Sequence, residues 1–210
     1  MKETLLRFNK DQRYIVFDTE TEGLNLVKSR PWQIAWLVAQ GDKIISRTDR
    51  FIHWPNLSVS AGAARITGFS QEEYEKKSRP PNQVWEEFSQ DFFDERNIIV
   101  GQNLLGFDVY MLDVWRRLEF SPLNQDYISR IIDTKALATA IAKNIPYTSG
   151  DFINWQYRLL HYRERGLKTS QAFLLKHYGI DHDPKRLHDA LYDVEMNFKI
   201  FKKQLFDLEL

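Results

Sequence analysis

The stretch Tyr14-Ile15-Val16-Phe17-Asp18-Thr19-Glu20-Thr21-Glu22-Gly23-Leu24 constrains this chain more than any other. Its apolar half, Tyr14 to Phe17, has the β-branched and aromatic composition of a buried strand. Asp18 and Glu20 then close the strand, and Gly23 suits a reversal of the chain. Side chains two apart on a strand share a face, about 6–7 Å from one another. Two carboxylates so placed repel each other unless a positive charge stands between them. A divalent metal ion supplies that charge. A strand that simply ends in a solvated polar turn is the plainer alternative.

Composition narrows the source of such a charge. Lys plus Arg equals Asp plus Glu at 29 each, so no overall field draws the chain to a polyanion. An anionic ligand needs a local patch or metal ions. With no cysteine, disulfides, thiolate catalysis and zinc–sulfur centres are excluded. The 210 residues, 43% hydrophobic and 28% charged, suit one generous domain (1–210) with a real core. The 14% aromatic content also leaves rings for stacking on bases. Met1 to Arg7 lacks the apolar stretch of a signal peptide, and no run approaches the ~18 apolar residues of a membrane span. The expectation is a soluble, cytoplasmic chain with no membrane partner.

Along the chain, Pro31 to Ala39 and Lys43 to Ile52 read as strands joined at Gly41-Asp42, which makes the first three strands an antiparallel meander. Short helices are expected before Gly68 and after Ser70, and a longer one over Asn82 to Phe93. Asn97 to Gly101 is a continuous apolar strand, followed by a helix carrying Met111, Leu112, Trp115 and Leu118. A fifth strand is expected over Ile128 to Asp133, then helices over Lys135 to Ala142, Ile153 to Tyr162 and Ser170 to Tyr178. The region 144–166 is the least regular and reads as a family-variable insertion. Leu191, Val194, Phe198, Phe201 and Leu205 mark the clearest helix, from about Asp189 to Phe206. This order implies an α/β fold, a mixed five-stranded sheet with helices on both faces.

Three later residues stand where they can join Asp18 and Glu20. Asp108 follows the fourth strand near a helix start, where capping is its ordinary role. Asp193 lies inside the last helix beside the apolar stripe, an unusual place for an unpaired Asp. His188 is five residues earlier, about 140° away on an ideal helix, so it belongs to the turn before the helix. There it suits a general base or is merely solvated. Lys76, Lys77, Arg79, Arg163, Arg165 and Lys168 are phosphate contacts or plain surface charges.

Phe-Asp-Thr-Glu-Thr-Glu-Gly-Leu at 17–24, Asn103 with Phe107-Asp108, and His188 with Asp193 resemble, in this order, the motifs of the DEDDh family of 3′–5′ exonucleases. That family has a ribonuclease H-like fold and includes the proofreading subunit of bacterial replicative polymerases. The similarity runs from about residue 13 to residue 203. The resemblance implies two Mg²⁺ or Mn²⁺ ions, with Asp18 bridging them, Glu20 and Asp193 holding the one beside the attacking water, and Asp108 bound directly or through water. His188 would take the water's proton. Thr21, Leu24, Asn103 and Phe107 would contact the terminal nucleotide. A set of four hard carboxylates without cysteine independently suits Mg²⁺ or Mn²⁺.

The implied function is release of nucleoside 5′-monophosphates from a single-stranded or frayed 3′ end, with DNA ahead of RNA. The implied partners are nucleic acid, with a DNA polymerase or a second copy of the chain. RNA trimming, a polymerase-accessory module with an inactive site, and a phosphatase are the rivals. Three departures from the family pattern bear on substrate choice: Glu22 replaces a second Thr, three residues separate Asn103 from Phe107, and Gln102 replaces a His.

Overall fold

Alternation along β1 (Arg13–Thr21) decides which side of the sheet each helix takes. Tyr14 packs its ring against Phe198 and Phe201 of the last helix, at centroid distances of 6.4 and 5.3 Å. Phe17, an odd number of residues on, faces the other way and meets Phe88 and Phe92 at 5.5 and 5.7 Å. The computed structural model describes residues 6–119 and 124–209, so Met1 to Leu5 of the charged N-terminal stretch lie outside the described residues.

β1 pairs antiparallel with β2 (Pro31–Gln40), which pairs antiparallel with β3 (Lys43–Phe51). On its other side β1 pairs parallel with β4 (Asn97–Gly101), and β4 with β5 (Ile131–Asp133). The sheet order β3-β2-β1-β4-β5 is the mixed sheet expected, with its antiparallel meander. α1 (Ala61–Thr67) and α2 (Gln71–Lys77) begin at the caps Ser60 and Ser70, and Gly68 ends α1 at a φ of 69°. α3 (Pro81–Phe92) and α4 (Asp108–Leu118) cover the Phe17 face. Trp85 of α3 meets Trp115 of α4 edge-on at 5.1 Å.

α5 (Thr134–Lys143), α6 (Phe152–Leu160) and α7 (Gln171–His177) follow, and α8 (Ala190–Glu209) crosses β1, β2 and β4 on the Tyr14 face. The stripe expected on α8 is present: Val194, Phe198, Phe201 and Leu205 join the main core. A second set, Tyr192, Met196 and Ile200, packs with Leu174 and Leu175 of α7 and Ala138 of α5. α8 is thus buried on two sides, which a single stripe does not convey. The irregular 144–166 region contributes Phe152, Trp155, Leu159 and Leu160 to the main core through α6.

The fifth strand is shorter than the sequence suggests. Asp126–Arg130 is a 3₁₀ turn, and only Ile131–Asp133 pairs with β4. Arg130 explains the difference. Its guanidinium donates to the carbonyls of Phe92, Asp94 and Asn97, fastening the turn to the start of β4 where further strand pairing would run. Among the described residues no helix is long and apolar enough to cross a membrane.

β1 outruns its parallel neighbour. Its last partner on β4 is Val100, opposite Val16, so residues 17–21 are flanked only by β2. A shift of register between Glu20 and Thr21 then turns the strand end. The crevice at the carboxyl ends of β1 and β4, where the chain passes from one side of β1 to the other, is the place where open α/β sheets bind ligands. Gly101 lets the end of β4 and Leu104 pack close against β1: a Cβ there would lie 2.8 Å from the Phe17 carbonyl oxygen and 2.6 Å from a Leu104 methyl. Gly101→Ala is therefore expected to destabilise the fold by roughly 1–3 kcal/mol, read from the urea unfolding midpoint.

Candidate active site

The alternation that sorts the helices also places the acids. Asp18 and Glu20 share the Tyr14 face and point toward α8, the helix that carries Asp193. Thr19 points the other way, toward the start of α4. There Asp108, 2% exposed, accepts hydrogen bonds from the Thr19 amide (3.1 Å) and hydroxyl (2.6 Å). Asp108 is the first residue of α4 and does not cap it. Three elements, β1, α4 and α8, thus deliver four carboxylates to one strand end.

Asp193 is held on both oxygens. Its Oδ1 accepts from Gln171 Nε2 at 3.0 Å, and its Oδ2 accepts from the His188 backbone amide at 2.9 Å. His188 lies in the turn before α8, as the spacing requires, with a φ of 79° and an exposed side chain. That left-handed turn points its amide back at Asp193, so one bond couples the histidine to the acid.

None of the four carboxylates forms an ion pair among the described residues. Burial, followed by repulsion from Asp108, Glu20 and Asp193, raises Asp18 well above the ordinary carboxylate range. Glu20 is pushed up to about 8, by burial first and then by Asp193 and Asp108. Asp108 rises to about 7 through burial, against the relief that Thr19 gives. Asp193 is raised by burial, offset in part by the His188 amide. The cluster lacks counter-charge, and only cations or protons can supply it.

Among the described residues no three His, Asp or Glu side chains already surround a common point as a bound ion requires. Asp108 is turned onto Thr19, and Asp193 onto His188 and Gln171. The donor chemistry nevertheless fits a hard divalent cation, because the donors are carboxylate oxygens whose affinity for positive charge is raised by their neighbours.

The residues expected to meet substrate are dispersed around the crevice. Leu24 is 86% exposed, and the buried Thr21 hydroxyl donates to the Gly23 carbonyl at 2.7 Å. Asn103, at a φ of 65°, donates its amide to Asp133 and accepts Lys135 Nζ on its Oδ1 at 3.0 Å, while Phe107 is half-buried. Glu22 differs from expectation. It adds no free negative charge near the substrate end, because Arg30 grips both its oxygens at 2.6–2.9 Å and the Ser58 amide bonds one of them. These bonds outweigh its partial burial and hold it below the ordinary range. Of the basic residues, Lys77 pairs with Glu73, Arg79 reaches Glu87, and Arg163 bonds the Leu160 and Tyr162 carbonyls.

Thr19 and Gln171 orient acids of the cluster, and sequence reading did not single them out. For Thr19 a signal existed, since alternation turns it away from Asp18 and Glu20. Gln171 carries no such signal, because its contact with Asp193 exists only in three dimensions.

The raised values make a prediction for the chain in a metal chelator. Between about pH 4.5 and 8 the folded state keeps a proton on Glu20 that the unfolded chain has released, so stability falls as pH rises through that window. Asp18→Asn removes one repelling charge. It should raise the melting temperature at pH 8 by the equivalent of about 1–3 kcal/mol, with a smaller gain at pH 5, in thermal unfolding with EDTA.

The RNase_T exonuclease family matches residues 15–201. The chain is 34% identical over 104 residues to the PolC-type DNA polymerase III of Streptococcus sanguinis, covering 50% of this chain and 7% of that protein. It is 28% identical over 202 residues to the PolC-type enzyme of Streptococcus thermophilus, covering 94% of this chain and 12% of that one. The chain therefore spans about a tenth of these relatives' length. Its fold matches the zinc-bound complex of Escherichia coli exonuclease I with single-stranded DNA at a TM-score of 0.72 and 20% identity, over 94% of this chain and 42% of that one. A product-bound exonuclease I structure matches at a TM-score of 0.72 and 18% identity, over 94% and 45% of the two chains. The chain belongs to the RNase_T exonuclease family.

Proposed function

We propose that this chain removes nucleotides from the 3′ end of single-stranded or frayed DNA as nucleoside 5′-monophosphates, and that 1–210 acts as one exonuclease unit. The observation that carries this reading is the convergence of Asp18, Glu20, Asp108 and Asp193 without counter-charge beside an exposed histidine. Two Mg²⁺ or Mn²⁺ ions held there would supply the charge that steadies the attacking and leaving oxygens of an in-line phosphodiester displacement. Asp18, repelled by each of the other three acids, would be among the residues that hold the ions.

His188 takes the proton of the attacking water, a role open to an imidazole at neutral pH. Its backbone bond to Asp193 keeps the base and a ligand in step. Arg30 and Glu22 brace the loop that projects Leu24, which meets the terminal base, and Thr21 lies beneath it. DNA is favoured because the relatives are DNA polymerases and one matched exonuclease I structure is a complex with single-stranded DNA. The same relatives support a replication or repair setting. An inactive binding module would have no reason to keep four destabilising acids and a histidine together.

The purified chain with Mg²⁺ or Mn²⁺ is expected to degrade single-stranded DNA faster than duplex DNA or RNA, with nucleoside 5′-monophosphates seen by chromatography. Nucleic acids left intact in both metals would overturn the reading. Asp18→Asn should abolish turnover. His188→Ala should lower kcat by about 10²–10⁴-fold while Mn²⁺ binding, followed by calorimetry, is retained.

A further inference from the structure

Next to Asp193's partner Gln171 lies a groove of about 600 Å³, lined by Gln102, Asn103, Thr169 and Gln171 together with Lys135 and Lys168. Its charged lining residues are the two lysines, with no carboxylate among them. Neither lysine forms an ion pair among the described residues. Lys135 Nζ bonds Asn103 Oδ1 at 3.0 Å, and Lys168 Nζ stands 5.6 Å from the Phe173 ring centroid. Gln171 is shared between the groove lining and the bond to Asp193, so the groove adjoins that acid of the cluster.

The walls are tied together beforehand. Gln102 donates to the Thr169 carbonyl at 2.7 Å and accepts from the Thr134 hydroxyl at 2.7 Å, which in turn accepts from the buried Asn197 of α8 at 2.8 Å. A ligand entering the groove therefore meets a fixed surface and little ordering cost. The hollow on the His188 side is a poorer host for a polyanion. It is lined by Asp49, Glu73 and Asp189, and its lysine, Lys77, is already paired with Glu73. A neutral chain that handles a polyanion needs a local cationic track, and this groove provides one next to the site.

We propose that the groove takes the phosphodiester backbone of the strand upstream of the terminal nucleotide, with Lys135 and Lys168 each meeting a phosphate. The proposal rests on the exonuclease reading, and the chemistry it names is common to DNA and RNA. The test is binding of 5′-fluorescein oligothymidylate and oligouridylate to the full chain, by anisotropy in Ca²⁺ over a salt series, for the wild type, Lys135→Gln, Lys168→Gln and the double variant. Each single variant is expected to lose about 3–10-fold in affinity. In the double variant the slope of log K against log salt should fall by about 1.4, close to 0.7 for each lost phosphate contact on a single strand.

Equal loss on both oligonucleotides identifies the backbone as the ligand, and loss on one alone identifies the sugar type the groove prefers. An unchanged slope and affinity in the double variant, or no binding by the wild type, overturns the proposal. Turnover of the same oligonucleotides in Mg²⁺ separates the two readings. Lysine-dependent binding without cleavage would sink the exonuclease reading and leave the groove, whereas cleavage without lysine dependence would do the reverse.

Discussion

Four like charges gathered at the end of one strand are the constraint on which the rest of this structure depends. None of them forms an ion pair among the described residues, so the fold itself must hold them against their repulsion. It does so with rigid elements. β1 is the central strand, locked by β2 on one side and β4 on the other, with aromatic side chains packed on both faces. α4 and α8 approach from opposite faces and each contributes one acid. The electrostatic cost of the cluster is carried by that core, the usual trade between stability and function at an active site.

Around the cluster, polar side chains do the aiming. Thr19 turns Asp108, Gln171 and the His188 amide turn Asp193, and the buried Asp133 gathers the amides of Asn103, Leu105 and Lys135 to shape the loop after β4. Gln156 of α6 reaches back to Asp133 and Ile131, so the irregular 144–166 region braces the second motif from behind. Supports of this kind matter because small displacements of reacting groups weaken catalysis steeply.

Two departures from the family pattern acquire physical roles. Glu22 is a staple: with Arg30 and Ser58 it ties the loop after β1 to the segment before α1. Its charge is satisfied internally and does not reach into the crevice. Gln102, in place of a histidine, joins the 167–171 segment to the start of α5 through its two amide ends.

The sequence by itself determined the strand ending in Asp18 and Glu20, the mixed sheet and most helix limits, and it singled out the five residues proposed for the site. Each of these is written in local signals: period two along a strand, period three to four along a helix, caps and glycines at the ends. Tertiary structure alone decided that Asp108 orients on Thr19 and does not cap its helix, that Glu22 is neutralised, and that β5 is cut short by Arg130. It also decided that Gln171 touches Asp193. The physical reason is common to all of them: a carboxylate's charge state and direction follow from partners that fold against it from elsewhere in the chain, and no local pattern encodes a partner 89 residues away.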